Sequence, residues 1–347
     1  MRYHRILIAG LASLALCGVA SAQSNIGRSG AQFLKISPSA RATALGGAYG
    51  SVGRDADAVY HNPAGIAGIR GMNLNLARVN YVADISFNYI AAAMPLGSGA
   101  LGFQFGSMMM DEMPVTTIQD PTNQLGITFD VGSWVAGITY AQPLTDRLSV
   151  GVTGKYVRES IWDMSSSTVA LDVGTLYYTG FCNWRFSAVL SNFGRTAKFT
   201  GGRLVTQYNK YDNPNQSETV AEDVSMAYEL PQAFKLGTAY DFTFTDQMMV
   251  TGSLEGAHPI DAPEYLSGGL EYTYAMPQVK LAARAGYRIV QTEAMGSYSS
   301  LRLASDSAVL GLGIGVPIAG SNLQFDYTWQ NYMKLGNNHL FSVGVSF

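Results

Sequence analysis

The stretch GLEYTYAMPQVKLAARAGYR, Gly269–Arg288, decides the fold. On one face lie Leu270, Tyr272 and Tyr274, and after Met276-Pro277-Gln278 also Val279, Leu281, Ala283, Ala285 and Tyr287. Gly269, Glu271, Thr273, Lys280, Ala282, Arg284, Gly286 and Arg288 take the other face. A period of two on either side of a Pro-containing turn predicts a β-hairpin, because successive strand side chains point to opposite faces. Folding the hairpin about that turn sets Glu271 opposite Arg284, a favourable cross-strand pair on the polar face.

The same alternation recurs along the chain, as in Leu323, Phe325, Tyr327 and Trp329 against Gln324, Asp326, Thr328 and Gln330. It predicts fourteen strands, at 72–80, 85–94, 100–110, 132–142, 147–158, 168–179, 184–193, 231–243, 247–257, 267–275, 279–290, 308–316, 322–331 and 339–347. Links after even-numbered strands are short, such as Pro143 to Asp146 and Phe244 to Asp246. Those after odd-numbered strands are mostly longer and polar, such as Asp111 to Val131, Gly194 to Leu230 and Gln291 to Ser307. Short turns at one end and long loops at the other are the wiring of bacterial outer-membrane barrels. From Gly71 onward the chain supplies about 20 residues for each strand with its link, against the ~9–11 that a tilted strand needs to cross lipid.

Composition agrees. Hydrophobic residues make up 47% and charged ones 14%, against a usual charged share of about 25%. Beyond the N-terminus no apolar run approaches the roughly 18 to 20 residues of a spanning helix. A barrel with hydrocarbon outside and polar side chains inside reconciles the two facts. Lys155, Asp172, Arg185, Glu255, Glu271, Arg284 and Asp326 are assigned to the inner face, and their mixed signs predict a wet, charge-balanced lumen. The fold class is therefore all-β: a transmembrane antiparallel β-barrel of about fourteen strands.

The chain before Gly71 is of another kind. Met-Arg-Tyr-His-Arg, an apolar run from Ile6 to Ala20 and Ala20-Ser21-Ala22 predict a secretory signal peptide over 1–22. Cys17 lies inside it behind Leu16, a poor lipoprotein context, and Cys182 is then the one cysteine left, which excludes an internal disulfide. Loss of Arg2 and Arg5 moves the formal charge from −3 to −5, with 20 basic against 25 acidic residues. Few charges and an acidic balance give no reason to expect nucleic acid. The segment 23–70, with the barrel following at 71–347, reads as a plug. Its Ala-rich runs Ser39 to Leu45 and Asp55 to His61 can make short helical turns, which Gly46-Gly47, Gly50, Gly53 and Pro63 interrupt. Fourteen strands enclose more than side chains alone fill, so a segment of this size is expected in the bore, with Arg41 paired to a lumen acid.

Candidate site residues carry plain alternatives. Asp55 and Asp57 could hold a cation, but acids before a helical turn are ordinary caps. Asn62, Pro63 and Ala64 could shape a ligand path, yet Pro63 ending a turn with Asn62 satisfying freed backbone groups explains them too. Met108 to Met110 could line a binding surface or mark a membrane edge. The lumen charges could form a selectivity path or pair with each other and the plug. The mature histidines, His61, His258 and His339, are assigned to the plug, a loop and the last strand, and no nucleophile, metal or phosphate motif accompanies them. No enzyme, cofactor or metal is expected.

Several short motifs, taken in order, resemble one family. Phe33-Leu34-Lys35-Ile36, Ala40-Arg41-Ala42, Gly46-Gly47-Ala48, Asp55, Asp57 and Asn62-Pro63-Ala64-Gly65 open the series. Leu190-Ser191-Asn192-Phe193-Gly194, Leu230-Pro231, Lys235-Leu236-Gly237, Gly269-Leu270-Glu271-Tyr272, Arg284-Ala285-Gly286-Tyr287, Asp326-Tyr327 and a terminal Phe347 continue it. This order is similar to the PorV/PorQ family of outer-membrane proteins, related to the FadL-type channels. The resemblance implies a FadL-like barrel with an N-terminal hatch, and Phe347 as a signal to the barrel assembly machinery. It also implies a non-enzymatic role in type IX secretion of Bacteroidota, with secretion components and cargo C-terminal domains as partners. The FadL branch implies instead passage of long-chain fatty acids or other hydrophobic small molecules. Outer-membrane lipid surrounds the protein in either case.

Overall fold

The computed structural model describes residues 27–81, 85–181, 183–209, 219–223, 225–290, 307–318, 320–331 and 336–347. The expected signal peptide and Cys182 lie outside the described residues.

Fourteen antiparallel strands close into one barrel. They are β1 Asn73–Asn80, β2 Ser86–Leu96, β3 Gly99–Met109, β4 Val131–Pro143, β5 Leu148–Ile161, β6 Met164–Tyr178 and β7 Arg185–Gly194, then β8 Ala233–Thr245, β9 Met248–Pro259, β10 Tyr265–Ala275, β11 Lys280–Val290, β12 Ser307–Ile318, β13 Ser321–Asn331 and β14 Asn337–Ser346. The last strand returns to the first, from Asn73 opposite Ser346 to Asn80 opposite His339, so no edge is left to template another chain. Glu271 faces Arg284 across β10 and β11, the register that the alternation predicts. His258 lies at the end of β9, not in a loop, where its ring bonds Glu264.

Links after the even strands are tight, such as Gly97-Ser98 and Asp246-Gln247. At the opposite end the long links carry small two-stranded ribbons, Met113–Pro114 with Thr128–Phe129 and Val205–Asn209 with Thr219–Asp223. The sorting is incomplete, because β5 and β6 meet across Trp162-Asp163 alone at the long-loop end.

Burial follows the pleat. Leu270, Tyr272, Leu281, Tyr287, Leu310, Leu312 and Phe325 point outward and are exposed, Leu312 at 63%. A continuous apolar outer belt is stable only when something other than water covers it. No helix among the described residues is long and apolar enough to cross a membrane, so any crossing falls to the strands. All seven assigned inner charges are buried, Glu271, Asp172 and Arg185 at 2% each.

The interior corrects the expectation of a wet lumen. The inner wall of β1 to β6 contributes Val79, Phe87, Tyr89, Val135 and Val157, which pack with Val59 and Ile66 into one buried cluster, between polar positions such as Asn75, Gln104, Ser133, Thr139 and Thr153. The inner wall of β7 to β14 carries more charge, and its Arg185, Glu271, Arg284 and Asp326 are paired and covered. The period-two pattern specifies which residues turn inward; it carries no information on what they meet there.

Candidate functional site

The N-terminal segment supplies what they meet. It begins at the long-loop end, where Gly30 N donates to Glu229 O (3.0 Å) and Lys35 Nζ pairs with Asp261 (2.7 Å) in the β9–β10 link. It leaves at the short-turn end, where Phe347 N donates to Met72 O (2.9 Å). Between these points lie two short helices, α1 Ala40–Ala44 and α2 Ala58–His61, and 3-10 turns at Gln32–Lys35 and Pro63–Gly68. None is long enough to be stable alone. Their stability comes from the wall, with α1 seated on β11 to β14 and the Pro63–Gly68 turn on β3 to β6.

Small residues allow that seating. Gly46 takes φ +68°, where a side chain would be strained, and lets the chain turn directly against β11. A Cβ at Gly286 would stand 2.2 Å from Gly46 N, and one at Gly174 2.0 Å from Asn62 Oδ1. At Gly286 backbone meets backbone, so a methyl group has no room; at Gly174 it would meet the Asn62 side chain.

Polar contacts then fix the segment in register. Arg41 gives Glu271 two hydrogen bonds, Nε to Oε2 (2.8 Å) and Nη2 to Oε1 (2.7 Å), and reaches Asp55 at 3.1 Å. Arg284 also donates to Glu271 and holds Asp326 at 2.6 Å. The result is a buried chain of alternating charge, Arg41–Glu271–Arg284–Asp326, which joins α1 to β10, β11 and β13. One bend of the segment is gripped twice: Glu255 accepts from Gly50 N (3.0 Å) and Arg185 donates to Ser51 O (2.9 Å). Arg185 also pairs with Asp241. Thr328 donates to Ala40 O at 2.6 Å. Lys155 and Asp172 pair with each other at 2.8 Å. They bracket a bulge between β6 and β7 where Asn192 has φ +59° and donates its N–H to Asp172 (2.7 Å).

The capping reading of the two aspartates does not hold. Asp57 precedes α2 without a side-chain cap bond and accepts instead from Ser39 and Asn75. Asp55 accepts from Arg41 and from Tyr49 OH (2.8 Å). Tertiary partners outcompete the helix end because α2 has a single turn. Asn62 does cap, accepting from Ala64 N (3.1 Å) at the turn that Pro63 opens, and its amide also donates to Gly50 O (2.7 Å) and to Thr175 O on the wall (3.1 Å). Burial, with Asp55 nearby, pushes the Asp57 carboxyl up to about 7. Burial also pushes the His61 imidazole well below its ordinary range, so it sits neutral beside Tyr49 and Tyr60.

A cavity of about 500 Å³ opens at the short-turn end, lined by Arg41, Asp55, Asp57, Lys280, Gln324 and Asp326. At the opposite end Lys235 and Arg288 face inward with no carboxylate within 4 Å among the described residues, and Arg288 lies 4.6 Å over the Tyr265 ring. Neither cation stands out in the sequence, where both alternate like their neighbours. No cluster of three His, Cys, Asp or Glu side chains among the described residues could hold a metal. Met108 packs against the apolar cluster and Met109 ends β3 exposed. Phe347 lies exposed beside the start of β1. The groups gathered here are suited to holding a segment in place and to lining a passage with charge.

No protein-family model matches the sequence, and no curated protein does. Solved structures do. The CymD monoaromatic hydrocarbon channel matches with a TM-score of 0.57 at 11% identity over 89% of this chain and 96% of that one. A Pseudomonas aeruginosa FadL homologue matches with a TM-score of 0.56 at 11% identity over 89% and 98%. The Ralstonia pickettii toluene transporter TbuX matches with a TM-score of 0.51 at 12% identity over 88% and 96%. At such identities the likeness is one of fold: this chain shares the barrel architecture of FadL-type channels.

Proposed function

We propose that this chain is an outer-membrane barrel that passes hydrophobic small molecules, with residues 1–22 as its signal peptide, 23–70 as a hatch and 71–347 as the wall. The observation that carries this reading is the two-sided interface of the hatch. Charges and backbone bonds clamp it to β7–β14, whereas toward β1–β6 it meets Val79, Phe87, Tyr89, Val135 and Val157 in an apolar cluster crossed by single hydrogen bonds, Asn75 to Asp57, Asn62 to Thr175 O and Ala31 N to Glu159. A seam with so few polar ties can part for an apolar solute by exchanging mainly dispersion contacts, at the cost of those hydrogen bonds. Neighbours described as hydrocarbon channels and a toluene transporter support hydrophobic solutes as the class. Arg41, Asp55, Asp57, Asn62, Pro63 and Ala64 then serve to hold the hatch; of the seven inner charges Glu271 ties Arg41, Glu255 and Arg185 grip the Gly50–Ser51 bend, Arg284 and Asp326 extend the Arg41–Glu271 chain, and Lys155 and Asp172 brace the wall.

The test is uptake of labelled long-chain fatty acid and of toluene by a deletion strain and its complemented parent. Uptake of at least one should fall in the deletion strain and return on complementation; unchanged uptake of both refutes the proposal. The type IX secretion role rests on the motif resemblance alone, and the described contacts add nothing to it. Unchanged cell-surface protein in the same strain would remove it.

A further inference from the structure

The outer wall carries a feature apart from the hatch and the bore. An apolar groove of about 1140 Å³ runs across the outside of β2 to β7. Its floor is Ala136 and Gly154, its sides Phe105, Tyr156 and Phe193, and its upper end Arg195. Gly154 faces open space, with nothing within 4 Å of where a Cβ would stand. Outward positions of the described strands are otherwise almost free of charge. The charged side chains among them, histidines aside, are Arg78 and Arg158, and Arg195 follows directly after β7. All three lie toward the long-loop end.

Arg158 and Arg195 flank the same short piece of β6, Arg158 opposite Ser167 and Arg195 N donating to Val169 O. Neither guanidinium makes an ion pair among the described residues. The nearest acid in sequence, Glu159, is turned inward to Tyr228 and Ala31 N. A second outer groove of about 830 Å³, over Gly252, Gly268 and Ala285, has no charged residue in its lining.

Within lipid an apolar groove gains little from hydrophobicity, because lipid tails are as apolar as the wall. A charge at its end can therefore choose among lipids. Guanidinium forks match phosphate oxygens, and basic side chains at headgroup level recruit anionic lipid. We infer that this groove holds a phosphate-bearing lipid of the outer leaflet, one acyl chain over Gly154 and its phosphate on Arg158 and Arg195. This rests on the outer-membrane reading, with the long loops facing outward.

The test uses the full chain folded into phosphatidylcholine nanodiscs containing a minor share of bisphosphorylated lipid A, followed by extraction and native mass spectrometry of retained lipid. The wild type should retain lipid A well above its share. Near a membrane surface each basic side chain contributes about 1 kcal/mol, so Arg158→Ala and Arg195→Ala should each lower retention about fivefold. Gly154→Phe should abolish retention while keeping heat-modifiable migration. Gly256→Phe, at an outward position that also has nothing within 4 Å, should retain lipid A. Retention no better than the lipid's share, equal competition by inorganic phosphate, or indifference to both Gly154→Phe and the arginine changes overturns the inference. A chain that never folds into nanodiscs refutes the membrane reading as well, whereas one that folds and shows no preference refutes the lipid site alone.

Discussion

Replacing Glu271 by alanine is the sharpest probe of how the segment is held. Glu271 is 2% exposed and accepts two hydrogen bonds from Arg41 and one from Arg284. Removing one partner of a buried charge pair costs about 3–5 kcal/mol, mostly because the remaining charge is left desolvated. Here the lower end applies, since Arg284 keeps Asp326 at 2.6 Å and Arg41 keeps Asp55 at 3.1 Å. Glu271→Ala should thus destabilise by about 3 kcal/mol. Asp55→Ala, at a carboxylate one-third exposed, should cost no more than about 1 kcal/mol. Arg41 and Glu271 changed together should cost less than their sum by about 1–3 kcal/mol. Urea unfolding in detergent followed by heat-modifiable migration reads the stabilities, and conductance in planar bilayers reads the bore. A loss under about 1 kcal/mol for Glu271→Ala, or additive single changes, would show that the charge chain is not what retains the segment.

Other expectations follow from the same contacts. Gly286→Ala should abolish the heat-modifiable folded band, since its Cβ would stand 2.2 Å from Gly46 N, whereas Gly256→Ala should migrate as the wild type does. The carboxyl of Asp57 is raised to about 7 when folded, so the folded chain holds that proton more tightly than the unfolded chain over the interval from about 4 to 7. Stability should accordingly fall as pH rises through that window, by up to about 1.4 kcal/mol per pH unit, and level off above it. Asp57→Asn should flatten the profile; a stability that rises from pH 5 to 8 in the wild type would contradict the assignment. Deleting 27–70 should leave a barrel that inserts but conducts steadily, and a tight barrel without the segment would refute its role as hatch.

The wall was legible because an alternation such as Val279 to Tyr287 records two environments directly, and the Glu271–Arg284 pairing followed from a tight turn that fixes register. Contacts across the bore were not. Lys35 meets Asp261 and Arg185 meets Asp241 over sequence separations of 226 and 56 residues, and no period connects such positions. The packed interior escaped for a related reason. Phe87 and Tyr89 look like any inward residues of a strand until the segment they touch is in place. Asp55 and Asp57 misled because a capping pattern is local, whereas their partners Arg41, Ser39 and Asn75 lie 14 to 18 residues away and meet them only in the folded chain.

That the segment spans the bore from Gly30 to Gly71 bears on how the protein is made. A thread tied at both mouths is hard to slip into a finished ring, and β1 cannot meet β14 until the final residues have arrived. Closing the sheet around the thread avoids that insertion, with the thread as the surface on which β3 to β6 and β11 to β14 seat. Moving these residues to the other terminus should therefore slow closure more than it weakens the finished barrel.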